Sequence, residues 1–116
     1  KEGPRVAALL AAHPGYSLHL VGHSLGGGVA ALIAHMSRHD PAVRAQLLPA
    51  GWWREGGCGP RGARIAATCI AVPCVMTREV AEGCRPYVRS IILGSDVIPR
   101  LNAATLGVLR GELARV

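Results

Sequence analysis

At 116 residues, half of them hydrophobic, the chain can bury one core and is too short for two ordinary domains. Its 13 Lys and Arg outnumber 7 Asp and Glu for a formal charge of +6, but the basic residues stand singly from Lys1 to Arg115, without a block or interleaved aromatics. That pattern speaks against nucleic-acid binding and for solvated surface charge.

No apolar run reaches the ~20 residues of a membrane span, and no secretory signal is visible. Cys58, Cys69, Cys74 and Cys84 form no CxxC pair, and no His stands at zinc-finger spacing, so no metal site is expected. Cys69 lies in an apolar run and reads as a small core residue. With no Phe, two Trp and two Tyr, aliphatic side chains and Ala must fill the core. The chain opens on Lys1 and ends at Val116 within a helical pattern, which reads as a piece of a longer protein.

The first element is a helix over Pro4–Ala12: Pro suits the first turn, Val6, Leu9 and Leu10 share a face, and His13-Pro14-Gly15 stops it. SLHLV, residues 17–21, predicts a short strand. It turns at Gly22 to Gly26 into a helix running to about His39, with Leu25, Val29, Leu32, Ile33 and Met36 at helical spacing. Asp40-Pro41 reads as its end. From Pro41 to Gly62 the chain is rich in Gly and Pro and has no sustained period, which predicts a loop or insertion. Trp52-Trp53 within it suits either a lipid-contacting tip or a fold back onto the core.

Ala63–Val72 is continuously apolar and predicts a buried strand ended by Pro73. Met76–Glu82 predicts a short helix with Thr77 as N-cap. YVRSIIL, residues 87–93, predicts a third strand, followed by Gly94-Ser95-Asp96. Leu106, Leu109 and Leu113 place one face on a last helix from about Leu101. Strands alternating with helices predict an α/β fold, a parallel sheet with helices on both faces.

The pentapeptide Gly22-His23-Ser24-Leu25-Gly26 fits G-x-S-x-G. Its setting carries more weight than the pattern. A strand that becomes a helix within two residues forces the serine into a strained conformation, with glycine expected at both flanks because side chains there would clash. The hydroxyl is then held above the strand end, with the Leu25 N–H and the helix N-terminus beside any oxyanion formed there. Gly27 and Gly28 let the helix lie close to the strands. Asp96 stands just past the third strand, at the sheet edge where parallel α/β folds gather their functional groups. It can orient a histidine there, or serve as a turn residue before Pro99.

The run YSLHLVGHSLGGGVAALIA resembles the nucleophile turn of class 3 lipases, within the α/β-hydrolase superfamily. ATCIAVPCVMTREVAEGC resembles the strand and short helix that follow. YVRSIILGSDVIPRLNAATLGVLRGEL resembles the acid strand and the helix after it, where the family keeps G-x-D-x-[VI]-P. The likeness covers nearly all of the chain outside 41–62 and points to the intracellular branch similar to sn-1-specific diacylglycerol lipases.

This resemblance implies a partial lipase catalytic domain over 1–116, a partial α/β-hydrolase fold with three core strands. The nucleophile turn falls at 17–39, the insertion at 41–62, and the acid-bearing strand and turn at 87–100. It implies Ser24 as nucleophile, Asp96 as triad acid and the Leu25 N–H as one oxyanion donor. Gly22, His23 and Gly26 support the motif, His23 by packing and hydrogen bonding rather than as base. It implies hydrolysis of acylglycerol or other lipid esters through an acyl-enzyme, with no metal and no organic cofactor. A cytoplasmic or peripheral-membrane setting, in contact with a membrane or lipid-droplet surface, accords with that substrate.

One feature departs from the family. In this fold the triad follows the order Ser, Asp, His, yet His13, His19, His23, His35 and His39 all precede Asp96. The family's second oxyanion donor and lid come from segments before Lys1. Either the histidine lies beyond Val116, which the cut-looking ends favour, or it has been lost; little activity is expected of the isolated chain. Acyl transfer or thioester hydrolysis on the same turn, and a non-catalytic lipid-binding or regulatory role, are the competing readings.

Overall fold

The computed structural model describes residues 2–54, 59 and 64–115. Helix α1 (Gly3–Ala12) leads into strand β1 (Leu18–His23), helix α2 (Leu25–His39) and helix α3 (Pro41–Leu47). Strand β2 (Ile65–Ile70), helix α4 (Arg78–Gly83), strand β3 (Val88–Ile91), a 3-10 turn (Ile98–Arg100) and helix α5 (Ala103–Leu113) follow. The three strands form one parallel sheet in the order β1-β2-β3. The expected α/β architecture with three core strands is therefore present, each observed strand lying within two residues of its predicted span wherever the chain is described. Ala63, the predicted start of the second strand, lies outside the described residues, as does Cys58.

The core is aliphatic and small, as a chain without Phe requires. Leu10, Ala30, Ala31, Ala34, Leu48, Ile65, Ala67 and Cys69 are buried together, with Val6, Leu18, Leu20 and Val88 packed at the margin. Along β2 the side chains Ile65, Ala67 and Cys69 are buried while those between them are not, the two-residue alternation of a strand with one covered face.

That one-sidedness corrects the expectation of helices on both faces. The second face carries His19, Val21, His23, Ile70, Arg89 and Ile91, all exposed. Spatial order matches chain order here, and two right-handed crossovers stepping in the same direction along a sheet deliver their helices to the same face. Coverage of the second face needs a connection that reverses direction, and the described residues contain none.

The stretch 41–62, expected as a loop or insertion, opens instead with α3. Asp40 closes α2 and starts α3: its Oδ1 accepts from Ala42 N at 2.8 Å and Val43 N at 3.4 Å, and Pro41 takes the first turn. The same Asp-Pro pair that ends one helix is a capped start for the next, a cap worth about 1 kcal/mol. Trp52 resolves the two readings given to the tryptophans. It is 3% exposed, within the core, against Gly59. Trp53 is half-buried and lies under the guanidinium groups of Arg38 and Arg44.

Helix α5 is capped at its start, where Asn102 Oδ1 accepts from Thr105 N and Thr105 Oγ1 accepts from Asn102 N, both at 3.0 Å. It buries none of its residues. The molecule is accordingly long, 61 × 25 × 22 Å.

Candidate active site

Ser24 is the single residue between β1 and α2. Its N–H still bonds as a strand residue, to Ile70 O at 2.8 Å, while its carbonyl accepts the first α2 bond, from Gly28 N at 3.1 Å. Serving both ladders at once puts Ser24 at φ 54°, ψ −124°, a conformation that costs a non-glycine residue about 1–3 kcal/mol. The hydroxyl does not cap the helix. The first N–H groups of α2, from Leu25 on, have no acceptor within the helix and form a positive helix end beside Ser24.

The glycines around Ser24 divide by function. A Cβ on Gly22 would fall 2.1 Å from Gly26 O, so the turn closes only with glycine there. A Cβ on Gly28 would fall 2.7 Å from Val75 Cγ1, and one on Gly27 would fall 3.1 Å from Gly22 O, so α2 lies tight on the segment after β2. Gly26 is different: a Cβ there meets nothing within 4 Å. The expected clash at both flanks holds for Gly22 and not for Gly26.

Asp96 lies at the same edge of the sheet. His23, Ile70 and Ile91 pair across the three strands, so Ser24 leaves β1 at the level where the chain leaves β2 and β3. Two strand spacings, roughly 10 Å of backbone, separate the β1 and β3 exits. Between them lies Ala71, which sequence reasoning did not single out. It is buried, bonds Ile91 O through its N–H at 2.9 Å, and takes φ 51°. Ser24 and Ala71 are the non-glycine residues of positive φ among those described, and they sit side by side at this edge. Nothing in an alanine between Ile70 and Val72 signals that strain.

The carboxylate of Asp96 is half-buried and performs the turn role its position suggested, Oδ1 accepting from Ile98 N at 3.1 Å. That uses one of its two oxygens. Arg100 folds back over the same turn, its guanidinium donating to Asp96 O and, at 3.1 Å, to Gly94 O.

No imidazole of the chain stands between Ser24 and Asp96. His23 is exposed on the uncovered face of β1. His19 bonds Thr68 Oγ1 at 2.9 Å on that face, and His13 stacks on Tyr16 before β1 begins. His35 and His39 lie on α2 beyond Ser24, on the order of 16 and 22 Å along the helix axis.

These two histidines belong to a second cluster, at the opposite end of the sheet. The His35 Nδ1 lies 3.1 Å from Tyr87 Oη and 3.5 Å from Cys84 Sγ, Tyr87 Oη lies 3.4 Å from His39 Nε2, and Arg38 covers the Tyr87 ring. Burial, then the neighbouring His39, holds the His35 pKa below the usual imidazole value. Burial and Cys84 push the Tyr87 hydroxyl well above the ordinary phenol range.

A cavity of about 650 Å³ lies on the helix-covered side, between the Val72–Met76 segment, Ala31 of α2, β3 and the Pro99–Asn102 stretch. Neither Ser24 nor Asp96 lines it. Among the described residues no group of three His, Cys, Asp or Glu could hold a metal ion, and no helix is long and apolar enough to cross a membrane.

Comparison with known proteins gives a consistent picture. The family model for lipase (class 3) matches residues 1–106. Mouse (Mus musculus) diacylglycerol lipase-beta is 38% identical over 104 residues, which is 89% of this chain and 12% of that protein. The chain therefore spans about an eighth of that relative's length. No solved structure matches it.

Proposed function

The chain belongs to the class 3 lipase family, and on that premise we propose that it is part of a serine hydrolase that cleaves acylglycerol esters through an acyl-enzyme. Ser24 Oγ attacks the ester carbonyl and the Leu25 N–H holds the oxyanion. An imidazole takes the Ser24 proton and returns it to the leaving alcohol, and Asp96 fixes that imidazole's tautomer through the oxygen its own turn leaves open. Water then releases the acyl group by the same route in reverse. The imidazole comes from chain outside these 116 residues, since the five present are placed on the uncovered face, before β1 or far along α2.

The observation that carries this reading is the backbone of Ser24. A strained serine between a strand and a helix N-terminus, made possible by Gly22, leaves its hydroxyl out of the helix cap and without a hydrogen bond to any described residue. Leu25, Leu93 and Val97, exposed by 71%, 88% and 61%, add apolar surface close in sequence to Ser24 and Asp96. That surface suits contact with a lipid or membrane surface.

A serine-directed fluorophosphonate tests the assignment in the full-length protein, with detergent or lipid added to open any lid. Labelling is expected in the parent and absent in Ser24→Ala. An unlabelled parent beside a reactive control lipase defeats the nucleophile assignment and leaves a non-catalytic lipid-binding role. The 116-residue chain alone is expected to turn over p-nitrophenyl butyrate far below an intact lipase, because loss of one triad member costs roughly 10⁴–10⁶ in turnover. Turnover near that of an intact lipase, abolished in His23→Ala, would instead make His23 the base.

A further inference from the structure

We propose that the cavity on the helix-covered side binds a long-chain fatty acid, at a site separate from Ser24. Its volume, about 650 Å³, is that of a small-ligand site. Ala31, Val75, Met76, Val88, Ile92 and Pro99 supply an aliphatic wall. No aromatic ring is among the described lining residues, so the site offers nothing to stack a planar ligand on and suits a flexible chain. Met76, whose Sδ lies 3.9 Å from Cys84 Sγ, adds a deformable surface.

The charge of the lining selects the head group. Arg78 and Arg85 both line the cavity, and no Asp or Glu is among its described lining residues. Arg78 is already held by Glu82 at 3.0 Å. Arg85 makes no ion pair with another described residue. One guanidinium is thus open to an anion beside an aliphatic cavity, the complement of a fatty carboxylate.

The cavity also adjoins the backbone under Ser24. Val72 and Val75 line it and pack against Gly27 and Gly28 in the first turns of α2. A chain lodged there bears on the segment against which that helix is pressed. If the proposed hydrolysis is correct the ligand is of the class that reaction releases, but binding does not depend on it.

The test is displacement of the fluorescent fatty acid cis-parinaric acid from purified Ser24→Ala protein, so that catalysis plays no part. Oleate is expected to displace it, octanoate at least about tenfold more weakly because most of its chain is missing, and oleyl alcohol roughly threefold more weakly for want of the carboxylate. Ile92 is 47% exposed, so Ile92→Glu leaves the fold intact while placing a negative charge in the wall. It is expected to weaken oleate at least about tenfold. Arg85→Gln, also on the surface, should erase the preference for oleate over the alcohol. Displacement unchanged in Ile92→Glu, or no displacement of the probe by oleate below its micelle concentration, overturns the proposal. Failure of fluorophosphonate labelling in the parent would bear on the hydrolase reading alone.

Discussion

Ser24 and Asp96 sit on the same edge of one sheet and are held there by different physics. Ser24 is fixed by exclusion: Gly22, Gly27 and Gly28 bring the chain so close to itself that the turn has essentially one conformation. Asp96 is fixed by attraction, through its own bond to Ile98 N and the reach of Arg100 back to Gly94 O, all in an exposed loop. Sterics of that kind are supplied here by Gly26 against Gly22 and by Val72 and Val75 of the segment after β2 against Gly27 and Gly28. Surface hydrogen bonds are individually weak, and the helix that follows them, α5, buries nothing. The difference teaches that the Ser24 turn is closed by packing among these residues, whereas the Asp96 turn is only as firm as what packs on it.

The largest effect expected from this contrast is at Gly22. Gly22→Ala puts a methyl 2.1 Å from a backbone carbonyl, which no side-chain rotation relieves, and should destabilise by at least about 3 kcal/mol or abolish soluble protein. A thermal melt near that of the parent would break the claim that exclusion holds Ser24.

A middle effect, opposite in sign on the two sides, sharpens it. Ser24→Gly removes the strain at φ 54° and should raise stability by about 1 kcal/mol while removing the hydroxyl. Gly94→Ala, at φ 50° in open space beside Asp96, should lower stability by about 1 kcal/mol. Denaturant titration of both reads the sign directly, and a loss in Ser24→Gly would mean that the serine conformation is not strained.

The smallest effect is at Gly26. Since a Cβ there meets nothing, Gly26→Ala should fall within about 0.5 kcal/mol of the parent despite its place in the motif. A loss as large as that of Gly22→Ala would show a neighbour at Gly26 beyond the described residues.

Much of this arrangement was legible in the sequence where period and punctuation agree. The strand–glycine–helix run over 17–39 and the three parallel strands follow from alternation and breaker residues, and Thr77 caps α4 as its position suggested. Other features were hidden for definite reasons. Asp-Pro at 40–41 reads as a stop because its capping role shows only when the next turn is helical. The one-sided placement of α1–α4 depends on strand order, which alternation does not encode. The strain at Ala71 leaves no mark, since alanine is at home in any ordinary backbone and nothing around it asks for glycine. Trp52 could go inward or outward until Gly59 provided a flat place to receive it.

The match of spatial to chain order in β1-β2-β3 has a consequence for how the molecule is made. As the chain emerges from its amino end, each strand finds its partner in the one just completed, and no strand has to insert between two others. The loops to be closed span one helix-bearing connection each, which keeps the entropic cost of closure low and favours rapid pairing. Gly22 and Ser24 are committed to their turn as soon as Ile70 offers its carbonyl, a pairing that needs β1 and β2 but neither β3 nor Asp96.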